Sequence, residues 1–78
     1  MMEFKVRLKS VQQVQEFVDL ATSRPFRVLV KDEHHQVNGK SFMEMFCLNF
    51  TMPLTVSAEC SQEQWQQLMA DTSHFLAR

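Results

Sequence analysis

The chain of 78 residues is poor in the residue types that build specialised sites: it has one glycine, two cysteines and two prolines. A lone glycine, Gly39, excludes a glycine-rich phosphate loop, which needs several backbone amides brought close to one anion. Cys47 and Cys60 form no Cys-x-x-Cys pair and are too few for a disulfide framework, and no Cys-His spacing supports zinc. Both read as reduced thiols, Cys47 packing as a small apolar side chain and Cys60 sitting at a turn. No charge of one sign dominates, since the formal charge is −1 with acids and bases interspersed. The basic stripe that displaces counterions from nucleic acid is therefore missing. The apolar runs fall far short of a membrane span, and the N-terminus is too polar for a secretory signal. The expectation is a cytoplasmic protein with no nucleic-acid or membrane partner, no cofactor and no metal.

What is present is a chain rich enough in apolar residues, at 45%, for one packed core, and residues 1–78 read as a single domain. Phe4, Val6 and Leu8 alternate with Glu3, Lys5, Arg7 and Lys9, as a strand with one wet face does. Ser10 stops the alternation, and Gln13 three residues on completes a capping box. Val11, Val14, Phe17, Val18 and Ala21 then share one helical stripe, which Arg24-Pro25 ends. Phe26, Val28 and Val30 alternate with Arg27, Leu29 and Lys31 in a second strand. Asp32 to His35 reads as a charged turn and Gln36 to Asn38 as a short third strand.

Ser41 and Glu44 form a second capping box, opening a short helix that fades near Leu48 to Asn49. Pro53 marks entry to a fourth strand, with Leu54, Val56 and Ala58 facing the core and Thr55 and Ser57 facing water. Ser61 and Gln64 form a third box, followed by one stripe of Trp65, Leu68, Met69, Thr72 and Leu76. The order β-α-β-β-α-β-α, with half-polar strands and amphipathic helices, predicts an α+β, two-layer open-faced sandwich with its helices on one sheet face.

The stretch Val37-Asn38-Gly39-Lys40-Ser41-Phe42, followed by an apolar helix and then Leu54-Thr55-Val56-Ser57-Ala58-Glu59, resembles the histidine-containing phosphocarrier (HPr) family of the bacterial sugar phosphotransferase system. Glu16-Phe17-Val18 also fits that family's first helix, so the likeness spans nearly the whole chain. It implies an antiparallel four-stranded sheet covered on one face by three helices. It also implies that the phosphorylated histidine of the family falls at or beside Ser10. The residues that follow, Val11, Gln12 and Gln13, include neither the arginine nor the proline of the phosphocarrier loop. A serine phosphate ester is a far poorer donor than a phosphoramidate, so phosphocarrier activity is not expected. His34, His35 and His74 lie away from the helix starts, whose amides a phosphohistidine needs, and read as solvated surface side chains.

Ser41 corresponds to the serine that a kinase phosphorylates in some HPr proteins, where the mark regulates carbon metabolism. The reading of Ser41 as a plain N-cap is favoured over phosphorylation, because Glu44 would compete with an added phosphate for the helix amides and repel it. Phe42, Met43, Met45, Phe46 and Cys47, with Phe50 in the loop beyond, surround the short helix. Phe42, Met45 and Phe46 are expected to face the sheet, leaving Met43, Cys47 and Phe50 near the surface. In the family this helix is the docking surface for partner proteins, which implies a phosphotransferase-system or carbon-regulation partner, with the chain a monomer or weak homodimer. The alternative is a methionine-rich core that absorbs all these side chains. An RNA-binding or metabolite-binding module is disfavoured, because the open sheet face would show Lys5, Arg7, Arg27, Leu29, Thr55 and Ser57 without a ring for stacking. An enzyme is not expected, since no nucleophile-base pair, carboxylate pair or metal spacing is present.

Overall fold

A computed structural model describes residues 2–76. The strands are β1 (Met2–Val6), β2 (Val28–Lys31), β3 (Gln36–Asn38) and β4 (Leu54–Ala58), and the helices α1 (Val11–Thr22), α2 (Phe42–Met45) and α3 (Gln62–Asp71), with a final 3-10 turn at Ser73–Phe75. The strands form one sheet in the order β1-β4-β2-β3, and every neighbouring pair is antiparallel. The predicted α+β open-faced sandwich is therefore the architecture found, with β4 at its centre.

The alternation in the strands fixes which face is buried. Phe4 pairs with Val56, Val56 with Val30 and Val30 with Val37, so one row of apolar side chains crosses all four strands. All four are buried, together with Val6, Leu54, Val28 and Ala58. Above this face lie Val14, Phe17, Val18 and Ala21 of α1, Met45 of α2 and Leu68 of α3. Phe4 meets Trp65 edge to face at 4.9 Å between ring centroids, and Phe17 meets Phe75 at 6.5 Å, separations at which aromatic pairs add to simple burial.

Several boundaries depart from the sequence reading. β1 ends at Val6, and Leu8 is buried beyond it; β2 starts at Val28 rather than Phe26. Ser57 does not face water, being only 5% exposed. It sits on the open face, but Glu3 on one side and Leu29 on the other flank it. Its hydroxyl donates to Glu3 Oε2 at 3.2 Å, and Lys31 Nζ reaches the same oxygen at 3.4 Å across β4. A central strand thus has its polar face roofed by the longer side chains of its neighbours. At the C-terminal end, α3 stops at Asp71 rather than carrying Leu76. Thr72 is fully buried with its hydroxyl donating to the Leu68 carbonyl at 2.8 Å. The 3-10 turn then buries Phe75 and sets Leu76 in an antiparallel bridge with Val6.

Gly39 has a steric role. Its N–H donates to the Val28 carbonyl at 2.8 Å, and a Cβ there would stand 3.0 Å from Val28 Cγ1, 3.1 Å from Val30 Cγ2 and 3.2 Å from the Val28 carbonyl oxygen. Gly39→Ala is expected to cost about 1–3 kcal/mol, the usual range for an overpacked interior, measured by urea unfolding against the wild type.

Candidate functional site

The three helix starts show how the sequence sets the local geometry. Ser61 and Gln64 form a complete capping box: the Gln64 N–H donates to Ser61 Oγ at 3.2 Å and the Ser61 N–H to Gln64 Oε1 at 3.0 Å. The other two boxes are only half as expected. Ser10 Oγ accepts from the Gln13 N–H at 3.1 Å, but Gln13 Oε1 reaches past Ser10 to the Lys9 N–H at 2.6 Å. Ser41 Oγ accepts from the Glu44 N–H at 3.3 Å, whereas the Glu44 carboxylate accepts from the Asn38 N–H at 3.4 Å. The Ser41 N–H is already taken by the Asn38 carbonyl in a tight turn, so the reciprocal arm has no donor left at the cap.

α2 is a single turn, and that length decides its exposure. Met45 points straight down and is fully buried, and Leu48, three residues on, is buried with it. Phe42 and Phe46, four apart, form a row one position round the helix, their rings edge to face at 4.8 Å. Two expectations are corrected here. Phe46 does not face the sheet but is 46% exposed, because Met45 and Leu48 occupy the sheet-facing direction. Phe50 is half-buried against the core rather than lying at the surface. Met43, at 78% exposed, projects to solvent as expected, and Cys47 does so too, so that it does not pack as the small apolar side chain its residue type suggests.

Phe50 joins the chain's two ends of interest. Its ring meets Phe46 at 6.2 Å, and with Leu8, Lys9, Ser10, Val11 and Val14 it lines a groove of about 150 Å³. Val11, expected on the buried stripe of α1, is instead 62% exposed; the buried stripe starts one turn later at Val14. Met43, Phe46, Phe50 and Val11 therefore make an apolar strip running from α2 to the start of α1. Ser10 stands at one end of it. Ser41 lies toward the other end of α1, where the neighbouring Lys40 ammonium donates to the Arg24 carbonyl at 2.6 Å.

The histidines take separate surroundings. His34 and His35 occupy the β2–β3 turn, as expected. His74 sits in the 3-10 turn rather than on α3, its Nε2 3.7 Å from Glu16 Oε2. Among the described residues no three His, Cys, Asp or Glu side chains converge as a metal site, and no helix is long and apolar enough to cross a membrane. Burial pushes the half-buried Cys60 thiol up from its ordinary value.

The residue that sequence reading passed over is Asp32, taken only as part of a charged turn. Its side chain is 6% exposed. Oδ1 accepts the N–H groups of His34 at 2.8 Å and His35 at 2.6 Å, and Oδ2 accepts the N–H of Asn49 at 2.9 Å. The first two bonds are the local turn-forming pattern of an aspartate, legible in principle from its place at the head of the turn; the third spans 17 residues. These amides hold the carboxyl down at about 2, the His34 bond contributing most and the Asn49 bond next.

Comparison with known proteins adds to this geometry. No family model matches the sequence, and no curated protein matches it. A solved structure does: HPr-C-His from Thermoanaerobacter tengcongensis superposes with a TM-score of 0.73, covering 91% of this chain and 89% of that one at 23% identity. The chain has an HPr-like fold. The expected fold is thereby matched in a solved structure of nearly the same extent.

Because the ionised Asp32 is the form the fold holds, its contribution is complete above the ordinary carboxylate range and is lost as pH falls through about 2. Wild type is expected to exceed Asp32→Asn in stability at neutral pH. The gap should narrow below about pH 4, as followed by urea unfolding at descending pH.

Proposed function

We propose that this chain is a non-catalytic protein-interaction or regulatory domain on an HPr-like scaffold, a cytoplasmic protein that docks phosphotransferase-system or carbon-regulation proteins. The observation that carries this reading is the continuous apolar strip of Met43, Phe46, Phe50 and Val11, of which Met43 and Val11 are mostly in solvent. Exposed apolar side chains gathered in one place on a small domain mark a contact surface, and methionine adapts to varied partners. Met45, buried beneath the helix, supports the surface from below rather than meeting a partner.

Phosphotransfer is left out for a chemical reason. At the start of α1 the side chain available is Ser10, whose oxygen is already engaged as a cap, and a serine ester would not pass phosphate onward as an imidazole does. A second reading, phosphorylation at Ser41, has weaker support. α2 is one turn long, so few aligned peptide dipoles stand behind its N-terminus to receive a dianion.

Incubation with phosphoenolpyruvate and the general phosphotransferase enzyme is expected to leave the intact mass unchanged, and a labile phosphate adduct on a histidine would overturn the non-catalytic reading. Incubation with ATP and an HPr kinase, with Ser41→Ala as control, tests the second reading. For docking, titration of the labelled protein with purified phosphotransferase-system proteins should show binding that Met43→Glu weakens by roughly tenfold or more; equal affinity would remove the strip as the docking surface.

A further inference from the structure

Asp32 lies outside the apolar strip, at the end of β2, yet its carboxylate reaches the loop that carries Phe50. Oδ2 accepts from the Asn49 N–H, and Asn49 in turn accepts through its own Oδ1 from the Thr51 N–H at 3.0 Å and the Thr51 hydroxyl at 2.6 Å. Phe50 is the residue enclosed between these anchors. Its ring is held edge-on to Phe46 and forms the wall of the groove opposite Ser10 and Val11. Met52 and Pro53, just beyond, line a second small cavity of about 90 Å³ together with Asp32, His34 and Asn49, so the turn and the loop face each other beyond the bond itself.

The α2–β4 loop has no strand or helix pairing of its own between Asn49 and Pro53. A loop of this kind on a small domain opens easily unless its backbone groups are tied down. A side chain nearly sealed from solvent and saturated by three backbone N–H donors is a costly use of an aspartate unless it orders something. A turn alone needs only the two local bonds.

We propose that Asp32 is a positioning residue for the apolar strip: its carboxylate clasps the Asn49 amide and so fixes Phe50 between Phe46 and the start of α1 before any partner arrives. The consequence for binding rests on the docking reading, but the clasp itself is a property of the free protein. Preordering of this kind removes from association the cost of arranging a mobile aromatic side chain.

Asp32→Asn separates the two jobs of the carboxylate. Asparagine is favoured in the local turn, so its single carbonyl oxygen serves His34 and His35, and its NH₂ group then faces the Asn49 N–H without accepting from it. Amide hydrogen exchange on the full chain should show the Asn49 amide exchanging roughly tenfold faster, with the His34 and His35 amides near their wild-type rates. The cross-peaks from the Phe50 ring to Val11 and Val14 should weaken. Unchanged exchange at Asn49, or unchanged Phe50 cross-peaks, would overturn the proposal. Asp32→Ser keeps a turn-forming oxygen beside His34 and His35 but has a side chain too short to reach the Asn49 N–H as well, and it stands as an independent test should Asp32→Asn fail to fold. In that variant too the Asn49 amide should exchange faster and the Phe50 cross-peaks weaken. Retention of either the Asn49 protection or those cross-peaks would equally overturn the proposal. If no phosphotransferase protein binds the wild type, the docking reading fails while the exchange result still decides the clasp.

Discussion

The rest of the structure depends on β4 lying between β1 and β2. The last strand in the chain completes the sheet, and without it β1 has no partner strand and the β2–β3 hairpin stands apart. Its register sets the apolar row from Phe4 through Val56 and Val30 to Val37, and a slip of one residue would turn every one of the β4 side chains to the wrong face. The same placement explains the buried Ser57. A strand with neighbours on both sides has its outer face covered by their longer side chains, here Glu3 and Lys31, whatever its own residues prefer.

Central placement of β4 also dictates where the candidate site forms. The chain must leave β3 at one edge, cross the helix layer and re-enter the sheet in the middle. It does so through the single turn of α2 and the loop after it. So short a helix can bury one direction only, and Met45 with Leu48 takes it. The aromatic residues of the same segment are left along its flank, where Phe46 and Phe50 continue toward Val11 at the start of α1. The apolar strip is thus a by-product of connection length as much as of composition. Asp32 stands where the end of β2 meets the returning loop, which is why a turn residue holds a segment 17 positions away.

Much of this was legible from the residues in order. The alternation of Phe4 and Val6, the stripe of Val14, Phe17, Val18 and Ala21, and the Ser61–Gln64 box each express a rule that operates within a few residues, and each stands in the structure. Exposure of Met43 and Cys47 was legible for the same reason, since a short helix with five apolar residues around it cannot bury them all. The departures fall where a distant segment intervenes. Val11 has the right spacing for the buried stripe, but in the first turn of α1 it borders the open groove beside Phe50, and burial begins only at Val14. Gln13 and Glu44 have the right spacing for capping boxes, but nearer or freer donors at Lys9 and Asn38 take their side chains. Leu76 continues the periodicity of α3, but the chain turns at Thr72 to bury Phe75 and to meet the edge of β1.

The sequence by itself determined the elements, their order, the buried face of each strand and the serine at every helix start, because these follow from periodicity and from bonds between near neighbours. It also determined that the start of α1 offers a hydroxyl rather than an imidazole. Only the tertiary structure decided the strand order, the joining of Phe50 to Ser10 and Val11, and the reach of Asp32 to Asn49. The last two of these contacts link residues 17 to 40 apart and the β1–β4 pairing joins residues still farther apart, and their geometry is set by how the sheet closes around β4, which no local pattern specifies.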